Sequence, residues 1–367
     1  MIINSLEVGG AEISLESLCL ALKNSFDIEI ISLSGNGEIS KRLQDKNLRV
    51  HELKFDKSSL SLKEFFKLYK LTKSINPDIV HTWMYHSNFF GGVISKLLGV
   101  KKIIWSVHAF NINPGMLKRR TILLIKILGY LSHIIPNQII CCSKESQKVH
   151  EKLFFSKKKM VFIPNGVDTE IFKYSAKFRN QIRSELKLDE AVKLVGCIGR
   201  FDVQKNQLEF LKIAKKVFSL NNNYHFVIVG RGNDVKNIKL NRAIKDLNLT
   251  NQISLMGERS DVIKILSAID IFALPSKGEA FPVSLCEAMS CEVPCAATDV
   301  GDVDLILGNI IETIDLKRFE MLHDLIIKLG SMNINQRQEI GKALRSRIKE
   351  NFSISSISNA HREIYET

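Results

Sequence analysis

No two of the seven cysteines in this sequence stand at CxxC spacing. Cys141, Cys142, Cys197, Cys286, Cys291 and Cys295 fall inside apolar strand-like or helical runs, so they read as small buried hydrophobes in a reducing compartment. No signal peptide is read at the start. A membrane-spanning helix needs roughly 20 apolar residues, and the most apolar run, Thr121–Pro136, is shorter and contains Lys126 and His133. It is either a buried helix or an interfacial helix behind the basic triplet Lys118-Arg119-Arg120. Low-complexity tracts and internal repeats are missing. So are nucleic-acid recognition motifs and aromatic-basic stacking platforms, and nucleic acid is not an expected partner. No Asp-x-Asp carboxylate pair is read at the end of a strand, so neither a metal nor another cofactor is expected.

What is present is a chain of 367 residues, long enough for two ordinary domains, with 45 % hydrophobic and 25 % charged residues. The net charge of +13 is uneven: residues 1–172 hold 24 Lys/Arg against 15 Asp/Glu, and residues 173–367 hold 28 against 24. The basic first half is either plain solubilising charge or the mark of an anionic partner, for which a membrane face or a phosphate-linked acceptor fits best.

Strand-like and helical segments alternate throughout. In the first half the expected strands are Ile2-Ile3, Asp27–Leu33, Val50–Leu53, Asp78–His81, Lys102–Val107, Gln138–Cys142 and Met160–Ile163. After a polar segment, Lys173–Glu190, the alternation resumes with Val192–Ile198, His225–Val229, Ile253–Met256, Asp270–Leu274 and Cys295–Thr298. Such alternation predicts doubly wound parallel sheets, which bind ligands at the carboxyl ends of their strands. The expected domains are 1–172 and 190–351, with 173–189 as linker and a closing helix at 352–367.

The stretch Lys277–Thr298 is the most informative. It opens on a Gly-Glu turn, and Pro282 stands where a helix begins, a position proline suits because its missing amide has no intrahelical partner there. A helix N-terminus is a seat for phosphate, here at the turn Ala280, Phe281, Pro282 and Val283, where every residue but the proline carries an amide. Glu279 before the helix and Glu287 within it can accept hydrogen bonds from sugar hydroxyls. A nucleotide sugar has phosphate at one end and hydroxyls at the other.

Other strand ends carry candidates too. Arg200 and Lys205 stand between a strand and a helix, as a pyrophosphate clamp requires: a forked guanidinium and a point-charge ammonium. Asn206, at the following helix start, is expected to cap it. Gly9-Gly10 permit close backbone approach and free amides at a helix start. His108 sits just past a strand end, and His81 reads as structural. Gly230-Arg231-Gly232 alone is a weak signal.

Glu279, seven intervening residues and Glu287, then Ala-Met and Pro294 before a small apolar strand, resemble the signature of family 4 retaining glycosyltransferases of the GT-B fold. Gly9-Gly10-Ala11-Glu12, Pro164-Asn165-Gly166-Val167-Asp168 and Gly199-Arg200 with Lys205 resemble further segments of that family, so the resemblance covers nearly the whole chain. Three positions depart from it: Asn206, Glu292 and Asp302 stand where glycine is frequent.

The resemblance implies an α/β protein of GT-B class, two Rossmann-like doubly wound parallel-sheet domains facing each other across a cleft. The closing helix would cross back onto the first domain. It implies a retaining hexosyl transfer from a nucleotide diphosphate sugar, by family frequency a UDP-sugar, to a lipid-linked or polysaccharide acceptor in cell-surface polysaccharide synthesis. Arg200 and Lys205 would hold the diphosphate, Glu287 the ribose, Glu279 and His108 the transferred sugar. Gly9-Gly10 would lie under the donor, and Gly257-Glu258-Arg259 would border the base. A cytoplasmic protein with peripheral contact to the anionic inner face of the plasma membrane is expected. The competing readings are another GT-B enzyme, such as a sugar-nucleotide epimerase, and a non-catalytic binding protein.

Overall fold

The computed structural model describes residues 1–35, 37–55, 62–108, 112 and 118–367. It contains two compact units, Met1–Gly166 with Ile354–Thr367, and Val167–Ser353.

The first unit is built on a parallel sheet of seven strands: β1 (Ile2–Ile3), β2 (Glu29–Ser32), β3 (Arg49–Glu52), β4 (Ile79–Trp83), β5 (Lys102–Val107), β6 (Gln138–Cys141) and β7 (Met160–Phe162). Their order is β3-β2-β1-β4-β5-β6-β7, so the two-residue β1 is an interior strand, between β2 and β4. Ile2 pairs with Ile31 on one side and Thr82 on the other. The inner strands β4 and β5 are buried along nearly their whole length, as parallel strands covered on both faces are, whereas the edge strand β3, Arg-Val-His-Glu, has no buried residue. Along β5, Ile103, Trp105 and Val107 enter the core formed with Ile125 and Leu128, whereas Ile104 enters the opposite one.

The closing helix, Ile354–Glu366, buries Ile357, Ile364 and Tyr365 among Leu15, Leu18 and Leu22 of this unit. Its apolar positions recur at helical spacing. His81, read as structural, is 1 % exposed and shares hydrogen bonds with Tyr365 Oη (2.7 Å) and Ser106 Oγ (2.7 Å), which fastens that helix to the sheet.

The second unit holds β8 (Lys193–Ile198), β9 (Tyr224–Val229), β10 (Ile253–Gly257), β11 (Ile271–Leu274) and β12 (Cys295–Ala297), all parallel, in the order β10-β9-β8-β11-β12. One continuous apolar core surrounds this sheet. All seven cysteines are buried and none is in a disulfide, and burial pushes the Cys141 and Cys197 thiols up to about 12.

Residues 173–189, expected as linker and leading helix, carry a helix, Ala176–Glu185, that belongs to the second unit. Arg179 and Arg183, one turn apart, both reach Asp270 (3.1 and 3.4 Å), and Asp270 also accepts from the Leu194 amide at 2.8 Å. The Arg183 side chain is 2 % exposed and that of Asp270 10 %. Removing one partner of a buried charge network strands the others without solvation. Asp270→Ala is therefore expected to cost about 3–5 kcal/mol in denaturant unfolding. A loss within about 0.5 kcal/mol, the range of ordinary surface substitutions, would contradict this role.

Candidate active site

The loop leaving β8 is shaped by its own side chains. Gly199 ends the strand at φ +159°, and Asp202 Oδ1 accepts from the Gln204 amide at 2.9 Å. Arg200 is exposed and its Nε donates to Asp202 Oδ2 at 3.2 Å. Lys205 points elsewhere: its Nζ donates to Glu279 Oε1 at 2.7 Å, across 74 positions of sequence. Asn206 does not cap the helix Gln207–Leu220 with its side chain. It sits at φ +61°, in the left-handed region that glycine adopts without cost, and its Nδ2 donates to Pro275 O at 3.1 Å. Asparagine tolerates that conformation better than most residues, which accounts for its standing where glycine is frequent.

Glu279 is 7 % exposed. Ser276 Oγ donates to the same Oε1 at 2.6 Å, and Oε2 has no hydrogen-bond partner among the described residues. Pro282 is the N-cap of the helix Val283–Ser290 rather than its first residue, and the backbone amides of Val283 and Ser284 have no partner among the described residues. Gly301 presses on this turn at φ +58°: a Cβ there would lie 2.2 Å from Glu279 O and 2.9 Å from Ala280 O. Phe281 is buried and stacks at a tilt on Phe352, with centroids 5.5 Å apart. Glu287 is half-buried, and no hydrogen bond or ion pair engages its carboxylate among the described residues. Desolvation therefore pushes it up to about 8.

Glu292 takes φ +63°, so the position where it replaces glycine is a left-handed one. Asp302, 4 % exposed, and Asp304, exposed, form an Asp-x-Asp triplet that the sequence reading passed over. One is inside and the other outside, and no metal-holding group of three or more His, Cys, Asp or Glu occurs among the described residues.

The loop after β10 is fixed by backbone bonds. Gly257 N donates to Asn233 O at 2.9 Å and Gly230 N to Gly257 O at 2.7 Å, with Glu258 exposed beside them. Glu258 does not contact the Lys205–Glu279 pair.

In the first unit, Gly9 is the N-cap and Gly10 the first residue of the helix Gly10–Leu22. Gly9 is extended at φ −161°, which any residue adopts, and a Cβ on Gly10 would meet nothing within 4 Å. A Cβ on Gly9 would stand 2.4 Å from Glu12 Oε2, the movable end of a side chain, so nothing rigid within this unit requires the two glycines. His108 stacks on Trp83 with centroids 4.9 Å apart, and its buried Nε2 has no partner among the described residues. Burial, with His361 adding, lowers its pKa to about 3, so the ring is neutral. Buried polar atoms are almost always satisfied, and among the described residues nothing satisfies this one.

Several residues that hold the site went unread. Gln207 Nε2 donates to Arg200 O at 2.7 Å and Asn233 Nδ2 to Gly199 O at 2.6 Å. Gly230 is pinned against Gly199 O, 2.4 Å from an added Cβ. The Gly-x-Gly turn thus serves the Arg200 loop. Lys277 N donates to Gln204 O at 2.7 Å, which ties that loop to the turn carrying Glu279. In all, the structure joins Lys205 directly to Glu279 and their two loops to each other, and leaves Arg200 and Glu287 unengaged by that pair.

Residues 8–171 match the family described as Glycosyltransferase Family 4, and residues 178–347 that described as Glycosyl transferases group 1. The UDP-Gal:alpha-D-GlcNAc-diphosphoundecaprenol alpha-1,3-galactosyltransferase of Escherichia coli is 29 % identical over 90 % of this chain and 88 % of its own. The N,N'-diacetylbacillosaminyl-diphospho-undecaprenol alpha-1,3-N-acetylgalactosaminyltransferase of Campylobacter jejuni is 28 % identical over 76 % of this chain and 75 % of its own. Among solved structures, Anabaena HepE in complex with UDP and glucose superimposes with a TM-score of 0.86 over 100 % of this chain and 99 % of that one, at 17 % identity. The fold is GT-B, and the chain belongs to the family 4 glycosyltransferases: it is a glycosyltransferase enzyme.

Proposed function

We propose that the enzyme transfers a hexosyl group from a UDP-sugar to a lipid-linked saccharide acceptor, with retention of anomeric configuration, in cell-surface polysaccharide synthesis. The observation that carries the reading is the Lys205–Glu279 pair, with Glu279 four residues before Val283, and the amides of Val283 and Ser284, which no described residue engages. Cation, carboxylate and helix N-terminus stand together as a diphosphate sugar needs. Relatives named for diphosphoundecaprenol-linked substrates support the acceptor class.

As the glycosidic bond breaks, negative charge grows on the leaving diphosphate. Lys205, Arg200 and the helix amides stabilise it most in the transition state, which is where binding accelerates reaction. The charge is met by these groups, so the reading assigns no role to a metal or other cofactor. Glu279 Oε2 accepts from sugar hydroxyls while Oε1 stays on Lys205 and Ser276. His108 Nε2 contacts the transferred sugar, and Glu258 lies beside the base. The departing phosphate oxygen takes the acceptor's proton on the face it leaves, so no side chain need act as base.

Glu287 supplies a pH test. Its carboxyl is raised to about 8 when empty, and ribose hydroxyls stabilise the ionised form. UDP binding is therefore expected to release a proton below pH 8. Affinity should rise with pH up to about 8 and level off above it. Calorimetry in buffers of different ionisation enthalpy reads this directly, and Glu287→Gln should abolish the release. Proton uptake, or none, would remove Glu287 from the ribose.

The activity itself is tested by UDP release from a panel of UDP-sugars, with and without a polyprenyl-diphosphate saccharide. Acceptor-dependent release with one sugar is expected. Release that ignores the acceptor with every sugar would overturn the acceptor assignment.

A further inference from the structure

The helix Arg119–Leu131 has two apolar faces. Ile125, Leu128 and Gly129 are buried, and Gly129 lies so close to the Leu153 carbonyl that a Cβ would stand 2.1 Å from its oxygen. This face is the packed one. On the other, Leu123, Ile127, Tyr130 and, just past the helix, Ile134 recur at spacings of four, three and four and are 60, 41, 64 and 66 % exposed. Phe154 extends the stripe. It is 63 % exposed and lies flat on Tyr130, with centroids 5.6 Å apart and planes 10° from parallel. Single exposed apolar residues need no explanation, but a contiguous stripe does.

The rim of the stripe is cationic. Lys118, Arg119 and Arg120 open the helix, Lys126 lies within it, and Lys152 and Lys158 flank Phe154; all are exposed. Residues 118–134 contain no acidic residue, and the one acid of 151–159, Glu151, is paired with Lys157 at 3.5 Å. No helix among the described residues is long and apolar enough to cross a membrane.

We propose that this stripe is a docking surface for an anionic lipid bilayer, entered by Leu123, Ile127, Tyr130, Ile134 and Phe154. Apolar and aromatic groups settle at the headgroup boundary, and lysine and arginine around them meet anionic headgroups. A second copy fits less well, because a two-fold contact would set this cationic rim against itself. The use of such a surface rests on the reading that the acceptor is lipid-linked. The surface itself rests only on exposure and charge.

The test is flotation of the full chain with phosphatidylcholine vesicles, plain or containing phosphatidylglycerol. Wild-type protein should float with the anionic vesicles only, and less at high salt. Ile127→Glu/Tyr130→Glu and Lys118→Ala/Arg119→Ala/Arg120→Ala should each bind the anionic vesicles at least about tenfold more weakly. Both should keep the wild-type melting temperature and UDP affinity. Wild-type protein that ignores anionic vesicles, or variants that float as well as wild type, would overturn the proposal. So would a dimer in sedimentation that Ile127→Glu/Tyr130→Glu splits without any vesicle binding, which would place a second copy on the stripe. Intact flotation with no acceptor-dependent UDP release would sink the acceptor reading and leave the surface standing.

Discussion

Lys205→Ala is expected to lower the rate of sugar transfer by about 100- to 1,000-fold, the usual cost of removing one preorganised group that stabilises transition-state charge. The ammonium lies 2.7 Å from Glu279 Oε1 and its side chain is 24 % exposed, so it is held yet open to a ligand. The loss should fall mainly on kcat, because charge on the leaving diphosphate grows only as the bond breaks. Stability should fall too, by about 1–3 kcal/mol, because Glu279 keeps only Ser276 as partner. Lys205→Ala/Glu279→Gln separates the two effects. Neutralising the stranded carboxylate should recover much of the stability and none of the transfer. Transfer within about threefold of wild type, well short of the cost of one such group, would take Lys205 out of the site.

His108→Ala should cut transfer by on the order of 100-fold with UDP affinity unchanged. The imidazole has a buried Nε2 with no partner among the described residues and is held neutral, with its pKa lowered to about 3. A group depressed this far stays neutral from the ordinary histidine range down to about 3, so it contributes no acid limb near pH 6.5 to the rate profile. Equal losses of transfer and UDP affinity would assign His108 to structure instead.

Much of the fold was legible because local pattern and tertiary demand agree. Lys102–Val107 reads as a strand buried on both faces and is one. Even Ile2-Ile3, two residues long, is an interior strand flanked by β2 and β4. The segment 173–189, expected as linker and leading helix, carries the helix Ala176–Glu185, and what that helix does depends on residues far away in the chain. Arg179 and Arg183 look like a solvated face until Asp270, about 90 positions on, is folded beneath them.

The site divides in the same way. Glu279, Glu287, Arg200 and Lys205 carry signals in residue type and spacing. Ser276, Gln207 and Asn233 carry none, because they act on a carboxylate or on backbone carbonyls that any residue supplies. Asn206 was misassigned for a related reason: asparagine at a helix start signals a cap, and only the backbone angle shows that a left-handed residue was needed. The glycines at 9 and 10 are the converse case. Their motif is plain in the sequence, yet within the first unit only the movable end of the Glu12 side chain crowds Gly9 and nothing crowds Gly10.

The most direct measurement is a crystal structure with UDP. The expected result places the diphosphate oxygens within hydrogen-bond distance of Lys205 Nζ and the Arg200 guanidinium, with the ribose hydroxyls on the Glu287 carboxylate. UDP bound elsewhere, with Glu287 still unpartnered and Lys205 still committed only to Glu279, would contradict it.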